Sequence, residues 1–232
     1  MPPRPGATTT KSTKPGGASA GNQAARKAPV GDGKLPKKLL VPVLRTERLV
    51  LTLPAPSMAD LHLRFARENA AHLAPWEPPS PEGHDTVRFW RDRLAKNLRE
   101  FHKGVSVRFS IFWRRDPKSP VLGNCNFSTL VWGAFHCATL GYRLDHRVEG
   151  KGVMTEALRA ATAYMFREQD FHRIQANYRP TNERSGAVLR RLGFTVEGYA
   201  RDYLFIDGAW RDHVLTSLTN PEMTGRPPRL PL

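Results

Sequence analysis

The chain has 232 residues, with 36 Lys and Arg against 21 Asp and Glu, a net charge of +15 and a sequence pI near 10.5. This length suits one domain of ordinary size with extensions, and a hydrophobic content of 40% is enough for a packed core. Its apolar runs fall well short of the roughly 18 residues that span a bilayer. No apolar segment follows the first Met, so we expect a cytoplasmic protein with no membrane partner.

Residues 1–38 hold nearly half of the excess positive charge. They carry eight Lys or Arg against one Asp, whereas the other 194 residues carry 28 basic and 20 acidic side chains. The segment also contains six Pro, six Gly and no aromatic residue. It cannot bury enough apolar surface to offset the entropy of ordering, so we predict a disordered basic arm. Such an arm either contacts the ribosome or RNA by releasing counterions, or is an inert extension.

The predicted folded domain spans residues 44–222 and opens with one strand and two helices. Apolar side chains alternate through the strand, and Ser57 is a candidate N-cap for the first helix. A loop with three prolines in five residues separates the two helices, since proline forbids a helix there. The predicted segments are the strand 45–53, the helix 58–71, the loop 75–79 and the helix 85–102.

Three predicted strands, 105–114, 120–131 and 134–145, lead to a glycine-rich turn. The turn is Glu149-Gly150-Lys151-Gly152-Val153-Met154, and a helical pattern continues from it to Arg167 without Gly or Pro. A glycine turn that opens a helix leaves backbone N–H groups free at the positive end of the helix dipole. That arrangement suits a phosphate or pyrophosphate, although a single Gly-x-Gly is also common in simple turns.

The last third of the domain is predicted as strand 172–178, a turn at 179–182, a helix that carries Ser185, and two strands. Those strands, 195–206 and 209–218, flank Asp207-Gly208, which is a strong signal for a hairpin. The residues after Pro221, above all 223–232, contain further prolines and are predicted to lie loose. The whole order predicts an α+β domain with a mixed central sheet flanked by helices.

Several of these segments resemble the GCN5-related N-acetyltransferase (GNAT) family, and within it the RimJ-type ribosomal-protein-alanine N-acetyltransferases. The segments that carry the resemblance are Gly150-Lys151-Gly152-Val153-Met154-Thr155-Glu156-Ala157-Leu158, Ala176-Asn177-Tyr178, Arg184-Ser185-Gly186, Glu197-Gly198-Tyr199-Ala200, Asp202-Tyr203-Leu204 and Trp210-Arg211-Asp212-His213-Val214-Leu215-Thr216. The resemblance implies the GNAT acyl-CoA N-acyltransferase fold, acetyl-CoA as co-substrate and no metal. It also implies that the acceptor is the N-terminal α-amine of a ribosomal protein, with alanine as its first residue.

The resemblance also implies which residues bind acetyl-CoA. These are Tyr142, Arg143, Leu144, Glu149, Gly150, Lys151, Gly152, Val153, Met154, Asn182 and Ser185. Leu144 would act through its backbone beside the thioester oxygen, where the central strands separate. Glu149 and Met154 stand where the family usually has Gln or Arg and Gly or Ala, so the Glu149 carboxylate is expected to point away from the diphosphate.

Two catalytic roles follow from the same resemblance. Ser185 would donate a proton to the leaving thiolate, although Asn182 and Ser185 could equally satisfy first-turn helix donors. For the general base, Leu204 stands where a related subgroup has Glu. The remaining candidates are Asp202, which we take as the catalytic candidate, Tyr203, His146 or a chain of waters. An α-amine has a pKa near 8, so an N-terminal acceptor needs only a weak base.

Two alternatives stay open at this point. The same fold could acetylate a small amine such as an antibiotic or a polyamine, although the two helices that would flank the acceptor are basic on balance. The protein could instead bind the ribosome, with catalysis secondary or lost.

The eight histidines and the two cysteines show no metal-site spacing, so we expect no metal and reduced thiols at Cys125 and Cys137. Trp76 either lines the acceptor site or covers the core.

Overall fold

The computed structural model describes residues 40–225. The predicted N-terminal arm, residues 1–38, lies outside the described residues, as do residues 226–232 of the predicted loose tail. Within the described part, no helix is both long enough and apolar enough to cross a membrane.

The described residues form an α+β fold, as predicted. The strands are β1 Val43–Arg45, β2 Leu49–Thr52, β3 Val107–Trp113, β4 Gly123–Val131, β5 Cys137–Leu144, β6 Arg173–Tyr178, β7 Thr195–Ile206 and β8 Ala209–Thr219. The helices are α1 Ala59–Glu68, α2 Ala70–Leu73, α3 Val87–His102, α4 Val153–Arg167 and α5 Glu183–Arg191. Short 3-10 turns occur at Pro56–Met58, His146–Val148 and Pro221–Met223.

The strands form one mixed sheet in the order β1-β2-β3-β4-β5-β6-β8-β7. Its neighbouring strands are antiparallel except for β5 and β6, which run parallel. That parallel pairing covers only Cys137–Thr139 against Arg173–Gln175. Beyond it the two strands diverge, so the rest of β5 faces a gap in the middle of the sheet. This is the separation of the central strands that the resemblance implied.

Helix α4 covers one face of the sheet. Its apolar stripe, Val153, Ala157, Ala161 and Met165, is fully buried in the main core. The Tyr164 ring packs edge-on against Phe109 of β3, with centroids 5.4 Å apart. The periodicity of 3.6 residues therefore predicted both this helix and the side that it buries.

Helix α1 covers the opposite face. Phe65 packs with Phe112 of β3 in a second buried cluster, and the His62 ring lies 3.3 Å from the Ser110 hydroxyl. Since side chains alternate along β3, Phe109 and Ser110 belong to different faces. The two faces therefore differ in chemistry: one is apolar, and the other carries polar side chains.

The predicted helix over 58–71 is interrupted at Asn69, which separates α1 from α2. Asn69 is fully buried, and its Nδ2 donates to the Phe65 carbonyl at 3.0 Å while its Oδ1 accepts from the His146 N–H at 3.1 Å. The side chain thus ties the end of α1 to the segment after β5. This contact joins residues 77 positions apart, so local sequence could not show it.

The predicted strand over 45–53 is in fact a hairpin of β1 and β2. The hydroxyl of Thr46 holds the turn by accepting from the Leu49 N–H at 2.9 Å. The prediction that Ser57 caps the first helix was wrong. Pro56 starts a 3-10 turn that includes Ser57, and Met58 occupies the N-cap position without a side-chain hydrogen bond.

The start of the C-terminal tail is packed rather than loose. The Asn220 side chain accepts from the Glu222 N–H at 3.0 Å and caps the last 3-10 turn. Met223 is 3% exposed. Because burying this apolar side chain is favourable, the segment from Pro221 to Met223 is held against the domain.

Candidate active site

The gap between β5 and β6 opens into a large cleft of about 1680 Å³. Its walls come from the strand edges, the glycine turn, α5 and the β7–β8 hairpin. Residues that line it include Tyr142, Leu144, Gly152, Ser185, Leu204 and His213. The cofactor-binding residues that the resemblance implied, except Lys151, are thus brought to one cavity.

The glycine turn is preorganised by the segment before it. The Asp145 carboxylate is 2% exposed and accepts from the backbone N–H of Arg147 at 2.8 Å, which caps the 3-10 turn His146–Val148. Burial alone would raise the pKa of Asp145. The hydrogen bonds from the side chain and backbone of Arg147 outweigh it and lower the pKa to about 2. An ion pair between the buried Asp145 carboxylate and the half-exposed Arg147 side chain therefore fixes the entry to the turn.

Both glycines of the turn adopt a backbone conformation that side chains disfavour. Gly150 has φ +70° and Gly152 has φ +73°, and Gly152 is the N-cap of α4. A Cβ at Gly150 would meet no atom within 4 Å, so the backbone there is open to a ligand. The first N–H groups of α4 have no partner within the helix and point toward this opening. The turn fits a diphosphate, whose charge suits the helix N-terminus.

The Glu149 carboxylate is paired with basic groups beside the turn. It contacts the Arg184 guanidinium of α5, and its other oxygen lies 3.1 Å from His72 Nε2. The Arg184 side chain is 81% exposed, so this ion pair contributes little to stability. Its consequence is electrostatic, because the negative charge next to the anion-binding turn is balanced.

The hairpin of β1 and β2 supports the turn from the other side. Arg48 Nε binds the Glu156 carboxylate of α4 at 2.6 Å, and Arg48 Nη1 donates to the Lys151 carbonyl at 3.0 Å. Burial would raise the pKa of Glu156, but hydrogen bonds from Thr46 and Arg48 lower it. The sequence reasoning missed Arg48. The only local signal in the sequence was the polar triplet Thr46-Glu47-Arg48, which interrupts the alternation of apolar side chains.

Asn182, Ser185 and Tyr142 form a polar group on the same wall of the cleft. Asn182 Oδ1 accepts from the Ser185 N–H at 3.0 Å, so it caps α5. The Ser185 hydroxyl lies 2.7 Å from the Tyr142 hydroxyl. Burial raises the pKa of the Tyr142 phenol, so it remains protonated at neutral pH. The Tyr142 hydroxyl also lies within 3.1 Å of the Ser185 carbonyl oxygen. Two hydroxyl groups therefore lie next to each other on this wall, where the sequence suggested one.

Arg143 points to the opposite face of the sheet. Its Nη1 lies 3.0 Å from the Glu77 carboxylate, and its Nε donates to Asn124 Oδ1 at 3.1 Å. The guanidinium also lies over the Phe65 ring, 5.4 Å from its centroid. Of the three β5 residues expected beside acetyl-CoA, Arg143 can contact a ligand in the gap only through its backbone.

A second cavity of about 560 Å³ lies on that opposite face, between α1, α3 and the strands β3 and β4. It shares Leu73, Glu77, Pro78 and Arg143 with the large cleft. Burial and the charge of Arg143 lower the pKa of His62, in this cavity, to about 4, so the ring is neutral at pH 7. The large cleft and this second cavity therefore adjoin at the shared residues.

Trp76 lines the large cleft next to Glu77, one of the shared residues. Arg179 stacks over its ring at 5.4 Å and donates to the Pro75 carbonyl. This placement favours the first of the two interpretations of Trp76, as a lining residue rather than a cover for the core.

The structure separates the candidates for the general base. Asp202 is exposed on β7, with φ +49°, and it does not line the cleft within the described residues. Its N–H donates to Asp212 Oδ1 at 2.9 Å in an irregular part of the β7–β8 pairing. The irregular pairing carries Asp202 away from the cavity, so we correct the assignment of Asp202 as a catalytic residue.

Among the other candidates, His146 lines the cleft, and its Nδ1 is held by Asn69 Oδ1 at 2.9 Å. Its side chain is 47% exposed. The Tyr203 hydroxyl accepts from Asn177 Nδ2 at 3.0 Å. Leu204, which stands where a related subgroup has Glu, lines the cleft and supplies no carboxylate. His213 also lines it, and sequence reasoning assigned it no catalytic role.

Residues 40–225 contain no group of three or more His, Cys, Asp or Glu side chains that could hold a metal ion. Cys125 and Cys137 are free and buried, and burial raises the pKa of both thiols. They lie in the sheet as inert packing residues.

Comparisons with known proteins agree with this geometry. The acetyltransferase (GNAT) domain model matches residues 48–195. The ribosomal protein uS5-alanine N-acetyltransferase of Escherichia coli K12 is 49% identical over 183 residues, which cover 78% of this chain and 92% of that protein. The structure of the ribosomal-protein-S5-alanine acetyltransferase from Vibrio fischeri has a TM-score of 0.74 at 34% identity, covering 78% of this chain and 97% of that one. Mycobacterium smegmatis RimJ in complex with CoA-disulfide has a TM-score of 0.71 at 30% identity, covering 79% and 88%.

Proposed function

The chain belongs to the acetyltransferase (GNAT) family, and from this premise we propose that it transfers the acetyl group of acetyl-CoA to the N-terminal α-amine of a ribosomal protein that begins with alanine. The observation that carries the proposal is that the large cleft beside the glycine turn adjoins a second cavity on the opposite face of the sheet, with four lining residues in common. Adjoining cavities of this kind would let a donor and an acceptor approach from different faces and meet at the gap. The relative from Escherichia coli, a ribosomal protein uS5-alanine N-acetyltransferase, supports the choice of acceptor.

The glycine turn and the first turn of α4 are the residues that would hold the diphosphate of acetyl-CoA. The N–H groups of residues 150–154 supply donors, and the helix dipole adds a favourable field. Bound acetyl-CoA supplies the acetyl group as a thioester. The free edge of β5 around Leu144 offers backbone N–H groups that polarise a carbonyl placed in the gap.

The Ser185 and Tyr142 hydroxyls act as the proton source for the leaving thiolate. They lie 2.7 Å apart on the cleft wall, and burial keeps the phenol protonated. Asn182 uses its oxygen to cap α5, which leaves its Nδ2 for a polar group of the donor. The cap also orients Ser185, because it fixes the first turn of the helix on which Ser185 lies.

The second cavity takes the first residues of the acceptor. Glu77 lies where the two cavities meet, so its carboxylate attracts the positively charged α-amine toward the gap. Its pairing with Arg143 holds that carboxylate in place at the end of β5. The second cavity also holds Arg93, Arg108 and Arg143, whose positive charges oppose a polyamine with several charges more strongly than a peptide with a single α-amine.

The N-terminal arm and the boundaries of the domain belong to the same proposal. We take residues 44–222 as the catalytic domain and residues 1–38 as a basic arm that contacts ribosomal RNA. Eight basic residues against one acid support this role through counterion release. This function places the protein in the cytoplasm. Removing residues 1–38 should leave acetylation of a short peptide unchanged and weaken association with ribosomes.

The first test measures donor binding and transfer together. Calorimetry with acetyl-CoA should give micromolar affinity for the purified chain, and Gly152→Asp should abolish it because the new carboxylate repels the diphosphate. Gly104→Asp is the matched control, since Gly104 also has a positive φ and open space but lies away from the cleft.

Mass spectrometry then follows acetylation of a peptide that starts with alanine and of spermidine. Binding without acetylation of the peptide would overturn the proposed acceptor, and spermidine as the preferred substrate would favour the alternative.

A further inference from the structure

We propose that His213 is the general base that accepts the proton of the attacking amine. The inference rests on the proposed function, because it assigns the missing role in that same reaction. It is carried by the position of the ring on the acceptor face, its fixed tautomer and its burial, which distinguish it from His146, a cleft histidine that is also held through Nδ1 but whose side chain is 47% exposed.

The register of the sheet places His213 on the face where the acceptor enters. Asn177 of β6 pairs with Leu215, and Tyr178 pairs with Val214. Because side chains alternate along β8, His213 shares a face with Asn177 and Leu215, opposite to Tyr178. Tyr178 packs against Gly186 of α5, on the face where the donor binds. His213 therefore lies across the sheet from α5, on the wall of the large cleft.

The hydrogen bonds of the ring leave a lone pair free. His213 Nδ1 lies 2.9 Å from the Arg211 carbonyl oxygen. A carbonyl can only accept, so Nδ1 carries the proton, and in the neutral ring Nε2 carries the lone pair. Within residues 40–225 Nε2 has no hydrogen-bond partner, although the residue is only 3% exposed and lines the cleft. A ring held by one nitrogen with the other nitrogen free is the arrangement that a general base needs.

The groups around the ring fix its position without occupying Nε2. Tyr203 of β7 packs against it, with ring centroids 5.4 Å apart, and the Tyr203 hydroxyl accepts from Asn177. The neighbouring Asp212 carboxylate accepts from the Tyr199 hydroxyl at 2.6 Å and from the Asp202 N–H at 2.9 Å. The acidic side chain next in sequence is therefore committed elsewhere, and His213 is the free base of this wall.

The proton balance of the transfer is complete with this assignment. The α-ammonium first loses one proton to solvent, and the neutral amine nitrogen then forms a bond to the acetyl carbon while the carbon–sulfur bond breaks. The amine proton goes to His213 Nε2, and the thiolate takes a proton from the hydroxyl pair of Ser185 and Tyr142. Exchange with solvent then returns both sites to their starting protonation states, so the reaction needs no further reactant.

The test uses His213→Asn in the full chain. The Asn amide keeps the donor to the Arg211 carbonyl and removes the base, so a merely structural role would be retained. We expect kcat with the alanine peptide to fall about 10²-fold, with an unchanged affinity for acetyl-CoA. The acidic limb of the wild-type kcat profile against pH should disappear in the variant. His102→Asn, at the exposed end of α3, is the matched control and should behave as wild type.

A second variant keeps the inference open to refutation if the first is poorly folded. His213→Ala should regain activity when imidazole is added, because a small base can enter the cavity that the substitution leaves. A kcat within about threefold of wild type with the acidic limb intact in His213→Asn would overturn the assignment, since general-base catalysis contributes far more than this. No rescue of a folded His213→Ala that still binds acetyl-CoA would also overturn it. If the wild type itself acetylates no alanine peptide, the proposed function fails and His213 loses its role with it.

Discussion

The donor side and the acceptor side of the cleft are built in different ways. On the donor side, the glycine turn and α4 use backbone N–H groups and a fully buried apolar stripe. On the acceptor side, Glu77, Arg143 and His213 act through side chains that come from three separate parts of the chain. Function carried by the backbone depends on a few adjacent residues, whereas function carried by converging side chains depends on the whole sheet. The two sides should therefore respond to mutation differently.

The largest effect is expected where the two sides meet, at the hydroxyl pair of Ser185 and Tyr142. Ser185→Ala alone should lower kcat about tenfold, because the Tyr142 hydroxyl remains as a proton source. Adding Tyr142→Phe should lower kcat by about 10²- to 10³-fold, as expected when general-acid catalysis is lost. Acetyl-CoA binding should change little in either variant. Steady-state kinetics and calorimetry measure the two quantities separately.

Tyr164→Phe is the control for this pair, since it removes a hydroxyl that is bonded to Gln169 away from the cleft. Its kcat should equal that of wild type. If the double variant loses no more activity than Ser185→Ala, the idea of a shared proton source is wrong and Ser185 acts alone.

The next effect concerns stability and isolates the donor side. Asp145→Asn leaves Arg147 without its buried anionic partner and should lower the free energy of unfolding by about 2 kcal/mol at pH 7. The pKa of Asp145 is lowered to about 2 in the folded protein, so its stabilisation is present above the unfolded pKa near 4. It is lost as pH falls from about 4 toward 2. Urea unfolding at pH 7 and pH 3 should therefore show a smaller difference between variant and wild type at pH 3.

The matched change at an exposed position is Asp92→Asn, where the side chain is 75% exposed. It should alter the free energy of unfolding by less than about 0.5 kcal/mol at either pH. A difference for Asp145→Asn that stays constant between pH 7 and pH 3 would contradict the ion-pair explanation.

The same contrast explains how much could be predicted from the sequence. The glycine turn, α4 and the Asp207-Gly208 hairpin were predicted correctly, because each depends on residues that are neighbours in the chain. Asn69 and Arg48 could not be found in this way. The contacts of Asn69 with His146 and of Arg48 with Glu156 span 77 and 108 positions.

The two candidates for the general base show the same limit. Asp202 and His213 both lie in motifs typical of the family, and only the register of β7 and β8 decides which of them reaches the cleft. The shift in pairing between Ala200 and Leu204 places Asp202 at the surface. Nothing in the spacing of the residues predicts such a bulge, because it depends on how a strand fits its neighbour.

On the acceptor side, Glu77→Gln should act on the peptide alone. The amide keeps the size of the side chain but removes the charge that attracts the α-amine. The KM for the peptide should rise about tenfold at low salt, and this increase should shrink as ionic strength rises. The affinity for acetyl-CoA should not change. Glu82→Gln, in the exposed part of the same loop, is the control. A weaker affinity for acetyl-CoA in Glu77→Gln would show that the two sides are coupled through Arg143.

The smallest effect is expected at the support of the glycine turn. Arg48→Ala removes both the ion pair with Glu156 and the hydrogen bond to the Lys151 carbonyl. The Arg48 side chain is 42% exposed, so solvent screens its ion pair with Glu156. The loss of binding free energy for acetyl-CoA should therefore be below about 1 kcal/mol. That corresponds to an approximately threefold weaker affinity for acetyl-CoA, with the KM for the peptide unchanged. Calorimetry with acetyl-CoA measures this change in affinity, with Arg45→Ala, at the end of β1, as the control. A change in the peptide KM instead would mean that the β1–β2 hairpin shapes the acceptor side, and the division of the cleft into a backbone half and a side-chain half would need another boundary.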